Sequence, residues 1–275
     1  MQQAILSWSA GTRRDLPWRR TRDPWAILVS ELMLQQTQVP RVLPRYASFL
    51  ERFPTPAACA AAAVGDVVRE WAGLGYNRRA VNLHRTAVAV VERHGGALPD
   101  DLDALLALPG VGPYTARAVL AFAFERDVGL VESNTARVLT RSHGRPLSTR
   151  EAQDLADELV PRGRGWAWNQ AMIDLGATVC RRRAPRCDVC PIASGCRWDG
   201  GPDPAWPATR QSTFDGSDRQ GRGRLVDAMR RQPVPLDGIA DAAGWPDDRA
   251  RALRAAESLV ADGLAVMRDG LLALS

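Results

Sequence analysis

Four of the five cysteines crowd between Cys180 and Cys196, as Cys180, Cys187, Cys190 and Cys196 in a CX6CX2CX5C pattern. Thiolates in so short a loop can ligate a tetrahedral zinc or a cubane iron–sulfur cluster. In a reducing compartment such crowding points to a metal site rather than disulfides. Cys59, in an alanine-rich stretch, reads as a small buried residue. Two carboxylates have contrasting settings. Glu31 shares a helical face with Ile27, Leu28 and Leu34, and apolar neighbours raise a carboxyl pKa and keep its proton ready for general acid catalysis. A buried glutamate paired with arginine reads the same way. Glu132 follows the apolar run from Val128 to Val131 and precedes Ser133-Asn134-Thr135, where a helix begins, so the helix dipole and nearby amides hold it ionised. One protonated and one ionised carboxyl suit protonation of a leaving group beside a developing cation. Amine chemistry is excluded from the side chains, because all 36 basic residues are arginine.

The elements that hold these groups read as helices, with no alternating apolar run long enough for a large sheet, so the fold class is all-α. One helix opens at Asp23-Pro24, carries Glu31 and stops near Pro40. Others fit residues 57–71, 78–94, 102–108, 114–125, 135–142, 150–159 and 168–175. The segment Leu108-Pro109-Gly110-Val111-Gly112-Pro113-Tyr114 places two glycines between helices, a tight hairpin whose backbone suits one phosphate without reading sequence; an ordinary helix–helix turn has the same residues. After Cys196 the chain turns rich in Gly, Pro, Asp and Ser from Trp198 to Gly223, a linker. The remainder reads as two helices, a longer one over residues 247–259, and a hairpin at Asp269-Gly270, the order of a winged helix. Arg249, Arg251 and Arg254 on that longer helix could meet DNA or simply face solvent.

At 275 residues and 45% hydrophobic composition the chain can bury more than one core. A net charge of +5 permits a nucleic-acid partner without requiring one. No run is long and apolar enough to cross a bilayer and residues 1–23 lack a secretory pattern, so a soluble cytoplasmic protein is expected, with no membrane partner.

Further ordered pieces are Leu16-Pro17-Trp18-Arg19, the run from Ser30 to Val39, Gly73-Leu74-Gly75-Tyr76, Asn82-Leu83-His84 and the run from Asn169 to Ala177. Together with the hairpin and the cysteine loop, they make roughly residues 1–200 resemble the endonuclease III and MutY family of helix-hairpin-helix DNA glycosylases, most closely its MutY-type adenine glycosylases. The resemblance implies a two-lobed fold: a six-helix lobe at residues 24–128, and a cluster lobe of residues 1–23 with 129–200. A linker at 201–222 and a winged-helix-like domain at 223–275 follow. It implies a [4Fe–4S] cluster on Cys180, Cys187, Cys190 and Cys196, and a monomer acting on double-stranded DNA with a mispaired or damaged base. DNA contacts are implied at Trp18, Arg19, Gln36, Thr37, Tyr76, Gly110, Val111 and Gly112, with Gln36 and Tyr76 as wedges that fill the gap left by a flipped nucleotide. Glu31 would protonate adenine at N7, Glu132 would stabilise the sugar cation, Asn134 would order the site and Tyr114 would shape it. Tyr114 takes the place of the lysine of strand-cleaving relatives, which implies base excision without efficient β-elimination.

Two features depart from the family. Its motif has aspartate and glycine before the asparagine, whereas this chain has Glu132-Ser133-Asn134, and positioning errors near ~1 Å can cost about a hundredfold in rate. The tail is also too short and too helical to be the larger domain that recognises 8-oxoguanine in typical MutY proteins. The main expectation is removal of adenine mispaired with 8-oxoguanine or guanine. A mismatch thymine or uracil glycosylase and a noncatalytic damage-binding protein are the alternatives.

Overall fold

The computed structural model describes residues 1–201 and 213–275. It is helical almost throughout, in the order α1 (Gln2–Thr12), α2 (Pro24–Leu34), α3 (Val39–Arg52), α4 (Pro56–Ala60), α5 (Val64–Glu70), α6 (Arg78–His94), α7 (Leu102–Leu106), α8 (Pro113–Phe122), α9 (Ser133–His143), α10 (Thr149–Glu158) and α11 (Gly165–Asp174). The C-terminal part runs α12 (Asp218–Arg231), β1 (Val234–Pro235), α13 (Ile239–Ala243), α14 (Arg249–Ala261), β2 (Ala265–Arg268) and β3 (Leu271–Leu274). Among the described residues no helix is long and apolar enough to cross a membrane.

Local chemistry explains most boundaries. The Asp23 carboxylate accepts from the Trp25 N–H at 3.0 Å and starts α2. The helix ends at Leu34, before Pro40, and Pro40 instead stands in the first turn of α3, where its missing N–H costs nothing. The single helix expected over 57–71 is two, because Ala63 is extended and Gly65 lies against the chain end: its N–H donates to the Ser275 carbonyl at 2.5 Å. A Cβ on Gly65 would come within 2.8 Å of that oxygen. The helix α1 had no clear pattern in the sequence; it buries Ile5 and Ser9.

Contacts divide the chain into two compact units. The first contains residues 1–28, 100–106 and the described residues from 111 to 201. Its core gathers Ile5, Val138, Leu139, Trp168, Met172, Leu175 and Ile192. The second contains residues 29–99, 107–110 and 213–275. It buries Phe49 edge-on to Trp71 at 6.1 Å between centroids, along with Leu225, Met229, Leu259 and Leu272 of the C-terminal part.

The linker expected at 201–222 is corrected at its end. Residues 202–212 lie outside the described residues, but Ser217 accepts from the Gln220 N–H and opens α12 at Asp218. Gly221, which reads as linker composition, is a close approach: a Cβ there would meet the Trp245 ring at 2.1 Å. Beyond it the winged-helix order holds, with an antiparallel sheet β1-β3-β2 whose hairpin turns at Asp269 (φ 51°) and Gly270 (φ 73°).

Candidate active site

Glu132 is the N-cap of α9. Its carboxylate accepts from the Asn134 N–H at 2.8 Å and the Thr135 N–H at 2.9 Å, and also from Ser133 Oγ, Asn134 Nδ2 and Thr135 Oγ1. Five donors on one side chain fix it at the positive end of the helix. The strand of chain that leads to it is pinned by buried Asn169, which accepts from the Leu130 N–H at 3.0 Å and donates to the Val128 carbonyl at 2.8 Å.

Asn134 joins this cap to the cysteine loop. Its Oδ1 accepts from Arg137 at 2.7 Å, and the buried Arg137 guanidinium also donates to the carbonyls of Gly176 at 2.8 Å and Cys180 at 2.7 Å. Gly176 lies in a π-helical turn after α11, where a Cβ would come within 2.6 Å of the Asn134 side chain. Gly176 lies in the run from Asn169 to Ala177, whereas Arg137 is a residue of this arrangement that the sequence did not single out. One more arginine on a helix carries no signal until its burial is known.

The four cysteines line one cavity of about 90 Å3, with Val138, Leu175, Val179 and Ile192 as its apolar wall. Arg141, almost wholly buried, donates to Cys180 Sγ at 3.7 Å and to the Arg181 carbonyl at 2.9 Å, while the Cys196 thiol donates to the Arg141 carbonyl at 3.6 Å. Burial pushes the Cys180 and Cys190 thiols up, opposed at Cys180 by the Arg141 guanidinium. Among the described residues no three such side chains converge tightly enough to hold a single metal ion. Cys59 stands apart, fully buried and pushed up to about 12 by desolvation.

On α2, Glu31 is 6% exposed among Leu32, Met33 and the rest of an apolar helix. The turn that follows carries Gln36 at φ 53°, and the Gly73–Tyr76 turn carries Tyr76 at φ 46° and 47% exposed. A left-handed tyrosine is an outlier, and such conformations persist only where the surroundings enforce them. Arg79, on α6, enforces both. Its guanidinium donates to the carbonyls of Leu32 (2.6 Å), Met33 (3.0 Å) and Gln35 (2.7 Å) on one side, and Leu74 (3.2 Å) and Gly75 (3.0 Å) on the other, with Thr37 Oγ1 at 3.1 Å. Burial pulls Arg79 down to about 10, so it still carries its charge at neutral pH. Thr37 therefore acts inside this staple, half-buried, and also donates to the Leu74 carbonyl at 3.3 Å.

The hairpin has Gly110 at φ 75°, where a Cβ would also meet Asn82 at 2.6 Å, and Gly112 as the extended N-cap of α8 with Pro113 behind it. Val111 is buried, and Tyr114 is half-buried in the first turn.

A family model described as HhH-GPD superfamily base excision DNA repair protein matches residues 29–162. The adenine DNA glycosylase of Mycolicibacterium smegmatis is 45% identical over 278 residues, spanning 98% of this chain and 94% of that protein. The chain belongs to this superfamily of DNA glycosylases. The glycosylase is also similar to a solved thermostable thymine-DNA glycosylase, with a TM-score of 0.69 and 32% identity over 72% of this chain and 94% of that one. A trapped endonuclease III–DNA covalent intermediate gives a TM-score of 0.64 at 23% identity, over 71% of this chain and 92% of that one, a likeness of fold alone.

Two residues of the glycosylase expected to contact DNA are largely buried. Trp18 is 6% exposed, and Arg19 is 8% exposed with its fork on Asp174 at 2.7 and 2.8 Å. That guanidinium is paired with a buried carboxylate, so Arg19 ties the N-terminal segment to α11. Arg251 on α14 is likewise committed, to Asp218 at 2.7 Å and over the Trp245 ring at 4.1 Å.

Proposed function

We propose that this glycosylase hydrolyses the N-glycosidic bond of adenine mispaired with 8-oxoguanine or guanine. The supporting observation is the pair of carboxyls in opposite settings: Glu31 buried on an apolar helix, and Glu132 accepting five hydrogen bonds at a helix N-terminus. Glu31 gives its proton to N7 of the flipped adenine, the bond from C1′ to N9 breaks with its electron pair leaving on the base, and Glu132 stabilises the sugar cation. Water adds at C1′ and its proton restores Glu31. Asn134 holds Glu132, and Tyr114 shapes the entrance beside the hairpin. Gly110, Val111 and Gly112 approach one phosphate through the backbone, and Gln36 and Tyr76 fill the vacated stack. With no lysine in the chain, no side-chain amine is present to form a Schiff base with the abasic sugar.

The cysteine cavity fits a [4Fe–4S] cluster: four thiols, an apolar wall and a buried arginine to balance thiolate charge. Such a cluster supplies a cross-link that fixes the loop, and Arg137 couples that loop to Asn134. The glycosylase works in the cytoplasm, on nucleoid DNA, as a monomer.

Single-turnover base release from 8-oxoG:A, G:A, G:T and G:U duplexes, with and without alkali, tests the reading. Adenine release that needs alkali for strand scission and is lost in Glu31→Gln is the expected result. Release of pyrimidines alone would favour a mismatch thymine or uracil glycosylase, which the structural likeness to the thymine-DNA glycosylase supports.

A further inference from the structure

Among the described residues the four cysteines share their cavity with one aromatic side chain, Trp198, just beyond the last of them in sequence. The chain that carries it is tied to the end of α9. The Arg197 N–H donates to the Ser142 carbonyl at 3.3 Å, and Gly144, at φ 69°, lies so near that a Cβ there would come within 2.8 Å of the Arg197 side chain. The Arg141 guanidinium is set over the indole, 4.0 Å from the ring centroid, and the same guanidinium donates to Cys180 Sγ at 3.7 Å. Stacking on Trp198 thus holds a cation beside the thiols.

The indole N–H has no such match. Trp198 Nε1 is shut off from solvent and meets no acceptor among the described residues. A buried donor left unpaired is costly, and native structures keep few of them without a use. Trp71 and Trp166 also bury an unpaired Nε1. Trp71 packs edge-on to Phe49, and Trp166 is stacked by Arg13 and Arg22, settings of apolar groups and further donors. Of the three, Trp198 alone lines the cysteine cavity. Sulfur is the acceptor that an iron–sulfur group would bring into that space, as thiolate and as sulfide, and a hydrogen bond to either favours the more reduced, more negative state.

We infer that the Trp198 indole N–H donates to a sulfur of the iron–sulfur group held by Cys180, Cys187, Cys190 and Cys196. Trp198 is then a positioning residue that retains the group and raises its potential. The inference rests on the reading of the cysteine cavity as an iron–sulfur site, and not on which base is excised.

The test is made on the purified full chain. Iron and sulfide content comes first: a chain that purifies with zinc removes the cluster reading and the inference together, whereas with iron present every later outcome bears on Trp198 alone. Trp198→Phe keeps an aromatic ring and loses the N–H. It should retain its iron, show a midpoint potential below wild type by voltammetry, and lose its cluster to ferricyanide about fivefold faster, the factor that one hydrogen bond is worth. Trp166→Phe, which deletes an unpaired indole N–H outside the cavity, should match wild type in both. In wild-type protein isotopically labelled at the indole nitrogens, one of the nine N–H resonances should be shifted and broadened by the adjacent iron. Nine resonances at ordinary positions overturn the inference without recourse to a variant. So does a Trp198→Phe potential equal to or above wild type, even with faster cluster loss, because greater solvent access also favours the more negative state and would raise the potential. A Trp166→Phe protein that shifts as far as Trp198→Phe overturns it as well.

Discussion

Glu132 spends its carboxylate on its own helix, and that sets what substitution there should do. Glu132→Asp keeps a favoured N-cap residue, so its melting temperature should stay within a few degrees of wild type and base release should persist. Glu132→Ala removes the acceptor of five donors and should cost about 1 kcal/mol of stability, with base release falling by about a hundredfold or more; thermal melting and single-turnover kinetics check both. Arg79 is the second residue with a sharp expectation. A lysine there has three donors on one nitrogen and cannot span six acceptors on two turns, so Arg79→Lys should lower stability by about 2–3 kcal/mol and slow base release, measured by denaturant titration and single-turnover assay. The carboxylates were legible in the sequence because a helix start and an apolar face can be read from neighbours. Arg79 and Arg137 were not, since in a chain whose 36 basic residues are all arginine only tertiary burial marks a few as structural. At Trp18 and Arg19 the motif was visible, but their burial, and the pairing of Arg19 with Asp174, was not.

Elements in this chain are joined by a few buried polar contacts, and the one between the N-terminal segment and α11 makes a pH prediction. Asp174 is 1% exposed and paired with Arg19 and Arg14. Burial alone raises its carboxyl, yet hydrogen bonding and charge from Arg19, then Arg14, outweigh burial and hold it below the ordinary 3.8. A depressed carboxyl stabilises the fold above its unfolded value and loses that contribution as pH falls through the folded value. Asp174→Asn should thus cost about 3 kcal/mol at pH 7, and its deficit against wild type should shrink below pH 3.8 as the native carboxylate itself takes a proton; chemical denaturation at several pH values measures the gap. Helix α6 and the Asp23-Pro24 start of α2 were readable to the residue from periodicity and capping. The break between α4 and α5 was not, because it answers to Ser275 arriving from the far end of the sequence. Gly221 misled for a related reason: glycine signals a loose chain or a tight contact, and only the Trp245 ring decides which.

For the whole molecule, the sequence carried the fold class and the order of its parts, since motifs and helix signals are local. It did not carry the grouping of residues 213–275 with residues 29–99, because that depends on contacts such as Arg230 to the Val68 carbonyl at 3.1 Å and to Asn77 at 2.9 Å. Those bonds attach the C-terminal part to α5 and to the turn of Tyr76, and changes to α12 will be felt there first.

Trp198 lines the cysteine cavity, with the Arg141 guanidinium 4.0 Å from its ring centroid. An indole in that place is a built-in lamp beside the thiols. A dark, broadly absorbing iron–sulfur group would quench its emission, and colourless zinc would leave it bright. If the proposed iron–sulfur cluster is held there, its release by acid should brighten the protein, and Trp198→Phe should remove most of that gain although eight other tryptophans remain of the nine. An equal gain in both proteins would place the emitter elsewhere. A cluster held there would thus give the glycosylase an optical gauge of its occupancy, readable in a cuvette without added dye.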